Sequence, residues 1–158
     1  MTYEEFLKSK EFHLLPTGFE TDELNEHLFD YQKAIVKWAL RIGKAALFED
    51  TGLGKTIQQL SWADAVAKHT QGSVLILAPL AVSKQTATEA SKFGITCKLV
   101  ESQDDVINGI NITNYEKIHR FDTDTFDGIV LDESSILKSY AGKTTKELQE
   151  RFTYTPYK

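Results

Sequence analysis

The chain has 158 residues, an apolar fraction of 41% and a net charge of −5, from 18 basic and 23 acidic side chains. That is the size of one domain able to bury a core, and no bulk basicity marks a nucleic-acid binder, so any such contact must come from a local strip of Lys and Arg. Cys97 is the single cysteine, which excludes an internal disulfide and a cysteine-based zinc cluster. The first residues are charged and no stretch approaches the length of a membrane span, so a soluble, intracellular protein is expected, in the cytoplasm or, for a viral chain, the host cytoplasm. His13, His27, His69 and His119 show no ligand spacing, and no metal chemistry is assigned to them.

Residues 1–27 are weakly patterned and read as a lead-in, with Leu14 to Phe19 as a turn-containing segment able to lie against a larger body. Tyr31, Ile35, Trp38 and Ile42 recur at helical spacing, with Lys33, Lys37 and Arg41 on another face, so an amphipathic helix is predicted, ending at Gly43. Ala45 to Phe48 reads as a short buried strand, followed by the loop Glu49 to Thr56 and a helix from Thr56 to Lys68. The continuous apolar run Val74 to Ala78 suits a strand buried on both faces. Pro79 breaks it, and a helix follows from Val82 to Phe93. Ile95 to Val100 and Ile110 to Thr113 are further strand candidates, the second followed by a helical turn at Tyr115 to Ile118. Gly128 to Leu131 is another strand, and Ala141 to Phe152 a helix with Ala141, Thr145, Leu148 and Phe152 on one face. Strands alternating with helices imply an α/β fold with parallel strands joined by crossovers.

Glu49-Asp50-Thr51-Gly52-Leu53-Gly54-Lys55-Thr56 has the spacing of a phosphate-binding loop. Such a loop turns successive backbone N–H groups around a triphosphate, and the helix behind it presents a positive dipole end. Gly52 and Gly54 permit close approach, Lys55 would reach the β- and γ-phosphates, and the Thr56 hydroxyl would hold Mg²⁺. The first glycine of the general pattern is replaced by Glu49. Asp132-Glu133 ends a strand at the side of a parallel sheet where ligands bind. Asp132 would hold Mg²⁺ opposite Thr56, and Glu133 would position or deprotonate an attacking water.

Together these residues resemble the N-terminal RecA-like domain of superfamily 2 helicases and translocases of the Swi/Snf type, over nearly the whole chain from Leu28. The resemblance implies a P-loop NTPase three-layer sandwich with a mostly parallel sheet, spanning 28–158. Leu28 to Gln32 is similar to the segment in which the family's glutamine reads adenine, which makes Gln32 the adenine candidate beside Thr51, Gly52, Leu53, Gly54, Lys55 and Thr56. Asp50 to Thr56 matches motif I, which tolerates a residue such as Glu49. Ala78-Pro79-Leu80 with Ser83 resembles motif Ia, Ile112 to Glu116 the next motif, and Lys138 a lysine facing nucleic acid. Contacts to a nucleic-acid backbone are thereby implied for Pro79, Leu80, Ser83, Thr113 and Lys138. Asp132-Glu133-Ser134-Ser135 is similar to motif II, with two serines where the family usually has alanine and histidine.

The implied activity is ATP hydrolysis with Mg²⁺, driven by nucleic acid, with duplex DNA favoured, and completed by a second RecA-like domain. The family's motif III strand is expected soon after Phe152, between the strand feeding the loop and the strand ending at Asp132. With the sequence stopping at Lys158, a gap in the sheet and a weak or absent ATPase are expected for this chain. The residues also admit a P-loop ATPase or kinase acting on something other than nucleic acid, or a non-catalytic nucleotide-binding module.

Overall fold

In a computed structural model, the structure describes residues 2–5, 15–47, 54–132 and 143–158. Its regular elements are α1 (Asp30–Ile42), α2 (Lys55–Thr70), β1 (Ser73–Ala78), α3 (Leu80–Lys92), β2 (Cys97–Leu99), β3 (Gly109–Asn114), β4 (Gly128–Leu131) and α4 (Lys143–Arg151). A 3₁₀ segment, Tyr115–Arg120, follows β3. The strands form one sheet in the order β2-β3-β1-β4, every pairing parallel. The α/β alternation read from the sequence is therefore the fold.

β1 lies at the centre because both of its faces are covered. Val74 and Ile76 join the core with Val36, Leu40, Leu60 and Val66 from α1 and α2, together with Ala90 of α3. Leu75 and Leu77 point the other way, into a second core with Ile118, Phe121, Phe126, Leu148 and Phe152. A strand alternates its side chains, so a strand buried on both faces needs the unbroken apolar run this one has. The result is three layers, with α1, α2 and α3 on one side and α4 and the 3₁₀ segment on the other.

The buried face of α1 differs from the predicted one. Tyr31, Ile35, Trp38 and Ile42 were the expected core stripe, yet Gln32, Val36, Ala39 and Leu40 are buried while Tyr31 and Trp38 are exposed. Two apolar stripes run along this helix about one residue apart, and the smaller side chains permit closer approach to α2. The lead-in accounts for the end of α1. Amides of Thr17, Gly18 and Phe19 donate to the carbonyls of Ile42, Arg41 and Leu40 at 3.2, 3.0 and 3.0 Å, while Gly43 N–H takes that of Ala39 at 3.0 Å. Those are the four carbonyls that a helix end leaves without intrahelical partners. A Cβ at position 18 would collide with the Leu40 carbonyl, which explains the glycine in this strap.

Two strand expectations are corrected in extent. Ile95 to Val100 contracts to β2, with Ile95 buried as core instead. Ala45 to Leu47 has no strand assignment, and Phe48 lies outside the described residues. A ladder needs a partner along its length, and among the described residues this segment has one at its start: Ala45 N–H donates to Lys158 O at 2.9 Å, and Lys158 N–H to Gly43 O at 2.9 Å. On the other side, Ile129 N–H donates to Tyr157 O at 3.0 Å and Tyr157 N–H to Asp127 O at 3.1 Å. Tyr157 and Lys158 thus lie between these two segments, where the motif III strand was expected. Beyond them lies a cavity of about 470 Å³ lined by Ala45–Leu47, Ile129–Leu131, Trp62 and Phe152.

Candidate nucleotide site

The described part of the phosphate loop is its exit. Gly54 precedes α2 with φ 72 and ψ 44, a left-handed conformation that favours glycine. A Cβ there would also meet Nε2 of Gln32, so the adenine candidate lies directly against the loop's last glycine. Gln32 is buried, and its Oε1 accepts the Phe29 N–H at 2.9 Å. The flanking rings of Phe29 and Tyr31 are exposed and stack with centroids 6.2 Å apart.

Lys55 and Thr56 open α2 and are half-buried. The first turn of this 16-residue helix carries no acidic residue and no side-chain N-cap. Its leading amides and dipole therefore suit an anion, which the Lys55 charge reinforces.

Asp132 sits just beyond β4, where its N–H extends the ladder by donating to Leu77 O at 2.8 Å. It is 9% exposed. Two side chains hold it. The Tyr115 hydroxyl, at the end of β3, donates to the Asp132 carbonyl at 2.6 Å. Gln59 Nε2 donates to Asp132 Oδ1 at 3.0 Å. Gln59 stands three residues after Thr56, so both lie on one side of α2, and this hydrogen bond turns that side toward Asp132. Neither Gln59 nor Tyr115 was singled out in the sequence. The i+3 spacing from Thr56 was available as a signal for Gln59, whereas Tyr115 lay within the Ile112 to Glu116 segment without a role of its own.

A hydroxyl and a carboxylate are hard oxygen donors, and Mg²⁺ is bound by one or two such groups with phosphates and waters supplying the rest. Thr56 and Asp132 fit that donor set. Among the described residues no group of three or more His, Cys, Asp or Glu could hold a metal by itself, which is consistent with an ion shared with phosphates.

Of the nucleic-acid candidates, Leu80 is exposed and Pro79 half-buried at the start of α3, where the Pro79 carbonyl accepts from Val82 and Ser83 amides. The side chains of Ser83 and Thr113 are buried; Ser83 Oγ donates to Leu80 O at 3.0 Å, and Thr113 Oγ1 has no hydrogen-bond partner among the described residues. Thr51, Gly52, Leu53, Glu133 and Lys138 lie outside the described residues.

No family model matches the chain. A curated relative from Xenopus tropicalis, SWI/SNF-related matrix-associated actin-dependent regulator of chromatin subfamily A-like protein 1, is 31% identical over 129 residues, covering 74% of this chain and 13% of the relative. Among solved structures, the Sulfolobus solfataricus SWI2/SNF2 ATPase core domain superposes with a TM-score of 0.56 and 27% identity, over 79% of this chain and 28% of that one. The chain thus spans a small part of each. The parallel sheet matches a RecA-like domain of the latter. Sequence similarity and fold agree: the chain is a superfamily 2 helicase-like domain of the Swi/Snf type.

Proposed function

We propose that this domain is the ATP-binding half of a nucleic-acid-dependent ATPase motor, acting with a second RecA-like domain. The observation that carries this reading is the Gln59–Asp132 hydrogen bond, which ties the helix opening with Lys55 and Thr56 to the carboxylate beyond β4. Backbone amides at the start of α2 and the Lys55 ammonium bind the β- and γ-phosphates. Thr56 and Asp132 hold Mg²⁺, which neutralises charge on the phosphate oxygens. Glu133 orients the attacking water and takes its proton. Gln32, pressed against Gly54, recognises the base edge through an amide able to donate and accept. Pro79, Leu80 and Lys138 are the candidates for duplex DNA contact; Ser83 and Thr113, with side chains buried, serve the same loops from beneath.

The second lobe supplies the arginine that stabilises the transferring phosphoryl group, a contribution of about a thousandfold or more. The chain by itself is accordingly a weak ATPase. The test is ATP turnover of this domain joined to a second RecA-like domain, with and without duplex DNA, using Lys55→Ala as control. Stimulation by DNA that Lys55→Ala abolishes is the expected result. Turnover indifferent to DNA would point to an ATPase or kinase with another substrate. A melting temperature unmoved by Mg-ATP would remove nucleotide binding itself, because a ligand bound only by the folded state raises its stability.

A further inference from the structure

We propose that Gln59 is a positioning residue for the magnesium-binding carboxylate: its Nε2 fixes Asp132 Oδ1, and its Oε1 accepts a hydrogen bond from a water in the cation's shell. The proposal rests on the reading above that Asp132 binds Mg²⁺.

The orientation of the amide follows from chemistry. An ionised carboxylate only accepts hydrogen bonds, so the group 3.0 Å from Asp132 Oδ1 is the amide nitrogen. With Oδ1 held, Oδ2 is the oxygen left for a cation. The other end of the same amide is unsatisfied, since Gln59 Oε1 is buried with no hydrogen-bond partner among the described residues. A buried acceptor lacking a donor is costly and uncommon, and it calls for a donor that arrives with a ligand. Water bound to a divalent cation is such a donor, with its protons directed away from the metal. Thr56, three residues earlier, stands on the same side of α2. One side of a single helix therefore supplies a metal-ligand candidate and the group that orients the other. Residues outside the coordination sphere that orient a ligand commonly change metal affinity by about 10- to 100-fold when removed.

The experiment uses the 158-residue chain, with Mn²⁺ as a spectroscopic substitute for Mg²⁺ and a fluorescent ATP analogue. Paramagnetic resonance gives Mn²⁺ affinity in the presence of nucleotide, and fluorescence in EDTA gives metal-free nucleotide affinity. Gln59→Leu is expected to weaken Mn²⁺ about 10- to 100-fold while leaving metal-free nucleotide binding nearly unchanged. Gln59→Met, of similar length and without either hydrogen-bonding atom, is expected to weaken Mn²⁺ to a similar extent. Parent-like Mn²⁺ affinity in a folded Gln59→Leu protein overturns the proposal. Should Gln59→Leu fail to fold, Gln59→Met decides, and parent-like Mn²⁺ affinity in that variant overturns the proposal. Asp132→Asn separates the two levels. If it weakens Mn²⁺ while Gln59→Leu does not, the Gln59 inference alone fails; if it leaves Mn²⁺ unchanged, or the parent shows no nucleotide-dependent Mn²⁺ binding, the magnesium reading fails with it.

Discussion

β1 and β4 are adjacent strands of one sheet with different degrees of completion. β1 is paired along its length with β3 and from Val74 to Leu77 with β4, and Val74 to Ala78 have no exposed surface. β4 has β1 on one side, but its other edge meets Tyr157 at Gly128 and Ile129, and Val130 and Leu131 border the cavity. The difference bears on the nucleotide site. Asp132 stands at the end of β4, while residues 45–47, on the far side of that cavity, lead into the phosphate loop. The two candidate halves of the site thus flank this cavity, and Gln59, one of its lining residues, reaches from α2 to the carboxylate.

Core truncations measure the contrast most strongly. Leu75→Ala on β1 should cost about 4 kcal/mol and Ile129→Ala on β4 about 2 kcal/mol, because a side chain beside an existing cavity gives up fewer contacts. Urea unfolding of both variants checks the order, and equal losses would show that the β4 side is as well packed as the centre. Gly54→Ala should destabilise by about 1–3 kcal/mol through its left-handed backbone and displace Gln32. In a Gln32→Ala background the loss should shrink, leaving a coupling of at least about 0.5 kcal/mol in a double-mutant cycle. Additivity there would mean that the amide and the loop glycine are independent.

Extending the chain beyond Lys158 with alternating β-branched residues should raise the urea midpoint. Each side chain buried in the cavity would add about 1 kcal/mol after the cost of ordering it. No gain would mean that the cavity does not accept a strand. At the small end, Lys37→Ala removes an exposed ion pair with Asp22, whose carboxyl is held below its ordinary value by the Lys37 hydrogen bond and charge. A lowered folded-state pKa contributes stability above the ordinary carboxylate value and loses it as pH falls through the lowered one. The substitution should therefore leave the urea midpoint unchanged within error at moderate salt, and any difference at low salt should vanish as the solution is acidified through the lowered Asp22 value.

Much of the site was legible because its chemistry is local. Gly54, Lys55 and Thr56 are consecutive, and Asp132 follows an apolar strand, so the loop's spacing marked one half and the loop together with the alternating fold marked the other. The burial of Ser83 and Thr113 was not legible, because a small polar residue looks alike on either side of a strand end or helix start. Asn111 makes the same point from inside the sheet: it is fully buried in β3, where its amide binds the carbonyls of Val74, Ile107 and Gly109.

The sequence by itself determined the alternation of strands and helices, the buried character of β1 and the residue types of the candidate nucleotide site. These follow from periodicity and from neighbours a few positions apart. Tertiary structure alone decided which stripe of α1 faces the core, how Thr17 to Phe19 cap that helix, and that Gln59 meets Asp132 across 73 positions of sequence. The physical reason is common to all three. Each depends on which distant segment satisfies a buried face, an unpaired carbonyl or a charged oxygen, and that pairing exists only once the sheet has brought the segments together.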